Sequence, residues 1–318
     1  MDIKHTILMI TYNQEDCVRE ALDCLFRQGI PPYEVIIADD CSIDKTRDII
    51  LEFKKKYPNI IRPVFHEENL GIYKNLNYII NNIKISGDIV SILAGDDLYK
   101  DHMLLTFNRL IKKENLNPQD EKFLLMTNQL HLLPDGTERE AINNYTFKNK
   151  NYLKLKLRNR MGNRYTGISS ALFKTMNCWN LDIGLMADYL HAFDLYTECD
   201  NFYFINKSFP VYRLDSGVTA KNKKYIFSKS WIQVANYILT NRSKFLDKLD
   251  VIYLNKTIVR SKLELDNSFK NKTSFLQYYL LSFGDVLNGD VSFKSYVFES
   301  SFFFPKSVVR IIKKLIGR

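Results

Sequence analysis

Ile89-Val90-Ser91-Ile92-Leu93-Ala94-Gly95-Asp96-Asp97-Leu98-Tyr99 joins an apolar run to a small turn and then to two adjacent carboxylates. A short apolar run closed by a turn reads as a buried strand. In an open α/β sheet, ligands bind in the crevice beyond the carboxyl ends of the strands. Two aspartates side by side at such an end repel each other unless a cation or ligand hydroxyls lie between them. Hard divalent cations such as Mg²⁺ and Mn²⁺ prefer carboxylate oxygen and bridge to phosphates. The pair therefore reads as a metal-assisted site for a nucleoside diphosphate. A turn and helix N-cap explains the same letters, because Asp commonly caps a helix such as the one expected over 101–112. The flanking segments decide between the two.

Outward from that stretch, strand-like runs at 6–10, 34–38, 60–65 and 89–93 alternate with helical spacing at 15–27, 44–57 and 72–83. Pro31-Pro32 and Pro58 act as helix stops. The alternation predicts parallel βαβ units. After Lys122 the pattern changes to a longer strand over 123–133 and a Pro134-Asp135-Gly136 turn, a hairpin-like excursion. Further strands are expected over 168–173 and 202–205, with a helix over 188–196 between them. From Lys221 onward, helical spacing recurs at 225–239, 244–265, 273–283 and 306–316. The expected architecture is an α/β domain over 1–220, with a mixed, mostly parallel sheet flanked by helices, followed by a mostly helical region over 221–318.

Bulk properties narrow the function. Of 318 residues, 46% are apolar and 25% charged, which is ordinary for a globular protein. Cys17, Cys24, Cys41, Cys178 and Cys199 are odd in number and show no CxxC spacing, so reduced thiols in a cytosolic protein are expected. Residues 1–11 read as a first strand rather than a leader, and no stretch approaches the ~18 apolar residues of a membrane span. There is no GxGxxG after the first strand, against a dinucleotide-dependent oxidoreductase. The net charge of +9 is concentrated in 147–164 and 306–318, where basic residues occur without acids, and such runs favour polyanions. In 302–318, Val308, Ile311, Ile312, Leu315 and Ile316 share one helical face and Arg310, Lys313, Lys314 and Arg318 fall toward the other. That pattern predicts contact with an anionic membrane surface, or else a final helix packed on the domain.

Five pieces line up as candidate chemistry: Thr11-Tyr12-Asn13-Gln14, Ala38-Asp39-Asp40-Cys41-Ser42-Ile43-Asp44-Lys45-Thr46, Glu68-Asn69-Leu70-Gly71-Ile72-Tyr73-Lys74-Asn75, Gly95-Asp96-Asp97-Leu98-Tyr99 and Met186-Ala187-Asp188-Tyr189. In a parallel sheet the first four share one edge. Over roughly residues 5–215 these pieces together resemble a family 2 inverting glycosyltransferase of the GT-A fold, of the bacterial surface-polysaccharide type.

The resemblance implies a nucleoside-diphosphate sugar donor, most of all a UDP-sugar, and a Mn²⁺ or Mg²⁺ ion. The acceptor would be a hydroxyl of a glycan or lipid-linked oligosaccharide, and the enzyme a hexosyl- or N-acetylhexosaminyltransferase. By the same resemblance, Asp188 is the general base. Thr11, Asn13, Asp39, Asp40, Asn69, Gly71, Asn75, Asp96 and Arg213 bind the donor, with Asp40 toward the base of the nucleotide. Asp97 holds the metal, and Asp215 stands where such enzymes carry a His facing metal or diphosphate. Ala94 and Ala187 also replace acids common in the family. The departures keep a catalytically inactive scaffold in view, and the charge keeps a basic polyanion-binding protein in view. Acidic strand ends argue against nucleic acid. The first loop has neither Gly nor a cation, against a nucleotidyltransferase. The expected setting is the cytoplasmic face of the membrane, held peripherally, and the helical tail would serve a dimer interface as readily as a lipid surface.

Overall fold

The computed structural model describes residues 2–141, 165–214 and 224–265. Two compact units are present: Met1–Asp182 with Ala187–Asn222, and Ile183–Met186 with Lys223–Arg318.

In the first unit, β1 (His5–Thr11), α1 (Val18–Leu25), β2 (Glu34–Asp39), α2 (Thr46–Lys56), β3 (Ile61–Phe65), α3 (Ile72–Asn82) and β4 (Ile89–Ala94) alternate as the sequence predicts. They are followed by β5 (Leu98–Tyr99), α4 (Met103–Lys113), β6 (Phe123–Leu132), β7 (Glu138–Glu140), β8 (Tyr165–Ser169), α5 (Ser170–Phe173), α6 (Ala187–Glu198) and β9 (Asn201–Arg213). One mixed sheet runs β3-β2-β1-β4-β8-β6-β9-β5, with β7 on the flank of β6. Strands β1 to β4, β6 and β9 share a direction, and β5, β7 and β8 oppose it.

Both faces of this sheet are covered, which is why its strands read as near-continuous apolar runs. Successive side chains of a strand point to opposite faces. Ile7, Met9, Val35 and Ile37 accordingly pack with Leu22, Ile50 and Phe107 from α1, α2 and α4. Leu8, Ile36 and Ala38 pack on the other face with Ile79, Leu172 and Leu195 from α3, α5 and α6.

Two elements differ from the sequence expectation. The strand expected over 168–173 stops at Ser169, whose hydroxyl accepts the Leu172 N–H and turns the chain into α5. The strand expected over 202–205 continues to Arg213. Register shifts against β6 between Thr127 and Leu130 carry it past the polar Asn206-Lys207-Ser208, and Val211 and Pro210 then pair with β5. That extension delivers Arg213 to the edge of the sheet where the candidate site lies.

In the second unit, α7 (Lys224–Asn241) and α8 (Lys248–Leu265) pack together through buried Val234, Ala235, Ile238, Leu254 and Ile258. The Ser230 hydroxyl accepts the Leu185 N–H at 3.1 Å within the same unit. The basic run 147–164, Asp215, the helices expected over 273–283 and 306–316, and the amphipathic tail 302–318 lie outside the described residues. Among the described residues no helix is long and apolar enough to cross a membrane.

Candidate active site

Strand register brings the quoted segments to one edge. Thr11 pairs with Asp39, Ile10 with Ala94, and Asp39 with Phe65, so β1 to β4 all end at the same level. The loops beyond β1 and β2 are then laced together. Thr11 C=O accepts the Asp40 N–H at 2.9 Å. Asn13 donates its N–H to Ser42 Oγ at 2.8 Å, and its side-chain oxygen accepts the Ile43 N–H at 2.9 Å. The Gln14 N–H reaches Thr46 Oγ1 at 2.8 Å. Asn13 sits at φ +50°, a left-handed conformation that Asn tolerates better than most residues.

The first aspartate pair is committed to holding this edge. Asp39 is fully buried, and one oxygen takes Arg47 Nε at 2.6 Å and the Ser42 N–H at 3.0 Å while the other takes the Ser42 hydroxyl. Asp40 accepts the Leu70 N–H at 2.7 Å on one oxygen and the Gly71 N–H at 2.8 Å on the other. That grip places the start of α3. Gly71 takes φ +82°, where only glycine is unstrained. Asn69 is exposed beside it. Asn75, expected to touch the donor, is 1% exposed. Its amide nitrogen donates to Ala38 C=O at 3.0 Å and its oxygen meets His66 Nε2 at 2.9 Å, which makes it an internal brace.

The second pair is built differently. Asp97 accepts the Arg213 N–H at 2.9 Å, and Arg213 Nε donates to the Asp96 carbonyl at 3.0 Å. The Arg213 guanidinium also pairs with Glu20 of α1 at 2.8 Å. Arg213 and Glu20 lie 193 positions apart, so no local pattern announces the pairing. Burial pushes the Asp97 carboxyl up to about 7, and the Asp96 charge adds to it against the opposing effect of Arg213. A carboxyl so disposed resists ionising alone, and a cation beside it reverses that preference. Nearby, Thr11 Oγ1 and Gln14 Oε1 are buried with no hydrogen-bond partner among the described residues. Both lie against Gly95, where an added Cβ would meet Thr11 Oγ1 at 3.0 Å and clash with Gln14 Oε1.

Asp188 opens α6 and is partly buried. Its carboxylate accepts the Tyr189 N–H at 2.8 Å. The Tyr73 hydroxyl, from the first turn of α3, rests on the Asp188 main chain, and burial with the Asp188 charge raises the phenol well above its usual range. Asp188 is thus brought beside the loop that Asp40 holds. Glu20, Arg47, His66 and Tyr73 were given no role by the sequence: Glu20 and Tyr73 meet partners far away in the chain, and Arg47 and His66 meet Asp39 and Asn75 only once the loops are folded.

Among the described residues no group of three His, Cys, Asp or Glu side chains could hold a metal ion. The Asp96–Asp97 pair nevertheless fits a hard cation that keeps most of its ligands from phosphate and water, as Mg²⁺ commonly does.

A model of the family described as Glycosyl transferase family 2 matches residues 6–169, just over half of the chain. The uncharacterized protein Rv1520 of Mycobacterium tuberculosis is 38% identical over 102 residues, 32% of this chain and 29% of that protein. The chain therefore spans less than a third of the length of the first curated relatives it matches. Residues 1–349 of S. aureus TarS share the fold at a TM-score of 0.61 and 15% identity, over 99% of this chain and 92% of that one. TarS 1–349 has also been solved with UDP and with UDP-GlcNAc. The mannosyltransferase PcManGT from Pyrobaculum calidifontis, in complex with GDP-Man and Mn²⁺, matches at a TM-score of 0.53 and 15% identity, over 99% of this chain and 87% of that one. These likenesses establish the GT-A glycosyltransferase fold.

Proposed function

The chain belongs to glycosyl transferase family 2, and from that premise we propose that it moves one sugar from a nucleoside-diphosphate sugar to a hydroxyl of a glycan or lipid-linked oligosaccharide, with inversion at the anomeric carbon. The observation that carries this reading is the meeting of Asp96, Asp97 and Arg213 at the edge where Asp40 also fixes the start of α3 beside Asp188. The donor is a UDP-sugar in the first instance, a choice supported by the UDP and UDP-GlcNAc complexes of TarS. The enzyme falls in the hexosyl- or N-acetylhexosaminyltransferase class.

In this scheme Thr11, Asn13 and Asp40 line the nucleoside end, with Asp39 and Asn75 holding that wall from inside. Asn69 and Gly71 present the loop before α3, and Asp96 faces ribose or sugar. A Mn²⁺ or Mg²⁺ ion held by Asp97, with Asp215 as a further ligand, would neutralise charge on the departing diphosphate. Arg213 adds positive charge on the same side. Asp188 takes the proton of the acceptor hydroxyl while its oxygen attacks the anomeric carbon. The bond from that carbon to the diphosphate oxygen breaks on the opposite face, and the nucleoside diphosphate leaves with the electron pair. One such displacement inverts the configuration. Peripheral attachment to the cytoplasmic face of a membrane through 302–318 belongs to the same proposal, since it would bring a lipid-linked acceptor to the site.

Isothermal titration with UDP, GDP and dTDP, each with and without Mn²⁺, tests the donor site on wild type and Asp97→Asn. Binding of one nucleotide that needs the metal and is lost in Asp97→Asn supports the assignment. A folded protein that binds none of them sinks it.

A further inference from the structure

We propose that Asn77, with Tyr73, positions Asp188: helix α3 transmits the placement of the donor loop to the segment that carries the base. This inference rests on the reading of Asp188 as the general base.

Tyr73, Asn77 and Asn81 fall at i, i+4 and i+8, so they form one stripe along α3. Every member of the stripe holds the chain leading into α6. The Asn77 side-chain oxygen accepts the Trp179 N–H at 2.7 Å, and its amide nitrogen donates to the Trp179 C=O at 2.9 Å. A single side chain thus satisfies both main-chain groups of Trp179, as a neighbouring strand would. The Cys178 thiol donates to the Asn81 side-chain oxygen at 3.3 Å. Trp179 is buried, and its ring lies on His191 with centroids 4.0 Å apart. His191 stands three residues after Asp188 on α6, and the Tyr73 hydroxyl meets the Asp188 main chain directly.

The opposite side of α3 is fixed to the sheet. Asn75 braces it against Ala38 and His66, Leu76 and Ile79 are buried, and Asp40 grips the Leu70 and Gly71 amides at its start. One face of the helix therefore belongs to the donor side and the other to the base side. Because the amide of Asn77 is spent on Trp179, its role runs through Asp188 rather than through a ligand. Misplacing a reacting group by about 1 Å costs on the order of a hundredfold in rate.

The test compares the full chain as wild type, Asn77→Ala, Tyr73→Phe and Asp188→Asn. The donor is whichever of UDP-GlcNAc, UDP-glucose and GDP-mannose wild type turns over fastest with Mn²⁺, read as nucleotide release. Asn77→Ala should lower kcat at least tenfold with the donor KM and UDP affinity within twofold. Tyr73→Phe, which removes one hydroxyl and carries the test if Asn77→Ala fails to fold, should lower kcat several-fold in the same pattern. Hydrogen exchange at 178–190 should quicken at least tenfold in Asn77→Ala, while exchange in β1 and β2 is unchanged. An unaltered kcat in both variants beside an inactive Asp188→Asn overturns the positioning role alone, as does unaltered exchange at 178–190. Full activity in Asp188→Asn removes the reading on which the inference rests.

Discussion

Asp97→Asn should flatten the pH dependence of stability in the metal-free protein. Burial chiefly, and then the Asp96 charge, push the Asp97 carboxyl up from 3.8 to about 7. Between those values the folded protein keeps a proton that the unfolded chain has released. The stabilisation from this group is therefore complete below about pH 4 and is lost as the pH rises toward 7. A tenfold change in proton affinity is worth ~1.4 kcal/mol, which bounds the loss at about 4 kcal/mol. Solvent reaching the partly exposed carboxyl reduces it to about 2 kcal/mol. Urea denaturation in EDTA at pH 5, 6, 7 and 8 reads this directly. Asn stands in for the protonated acid, so the variant should gain on wild type as the pH rises. Mn²⁺ should restore wild type at pH 8 and leave Asp97→Asn unmoved. Since a cation must displace the proton, its apparent affinity should be about tenfold weaker at pH 6 than at pH 8. Parallel pH curves for the two proteins would refute the reasoning, because they would mean that Asp97 ionises as it does in the unfolded chain.

Three further outcomes follow from the same geometry. Asp40→Asn leaves the Leu70 or Gly71 N–H without an acceptor, so stability should fall by ~1–3 kcal/mol in urea, with faster exchange at residues 70 and 71. Gly95→Ala puts a methyl group against Thr11 and Gln14, and should cost ~1–3 kcal/mol while weakening nucleotide binding at least tenfold by calorimetry. Glu20→Gln breaks an exposed ion pair and should change stability by less than ~1 kcal/mol, whereas Arg213→Ala also releases the Asp96 carbonyl and should cost ~1–3 kcal/mol; equal losses would contradict the division of roles.

The parallel half of the sheet was legible because its strands are buried on both faces and its helices keep their period. The quoted run of 89–99 could be placed at a strand end from its apolar letters alone. What could not be read were elements made by distant pairing. β5 has two residues and exists because Leu98 and Tyr99 meet Val211 and Pro210. The length of β9 was hidden by polar residues that the register shifts absorb. The same limit applies to the site. The aspartates were visible as residue types at strand ends, but Arg47 on Asp39, Arg213 on Asp97 and the Asn77 clamp on Trp179 depend on the fold being complete. Asn75 shows the cost: a polar residue after a loop motif read as a ligand contact, and only burial with both amide ends engaged identified it as a brace.

Two Asp-Asp dipeptides, at or just beyond the ends of the two strands that flank β1, look alike as letters, yet their surroundings differ. Asp39 and Asp40 receive five donors between them, counting Arg47 Nε, the Ser42 amide and hydroxyl, and the Leu70 and Gly71 amides. Every carboxylate oxygen of this pair is thus already engaged by a donor, and a cation at Asp39 would have to compete with Arg47. Asp97 takes one main-chain amide, and burial, then the Asp96 charge, push its carboxyl up. A divalent ion would therefore gain most at the second pair. The first pair shapes the loops and α3, and the second carries fewer donors. That contrast supports the proposal that a metal would sit at Asp97 rather than at Asp39 or Asp40.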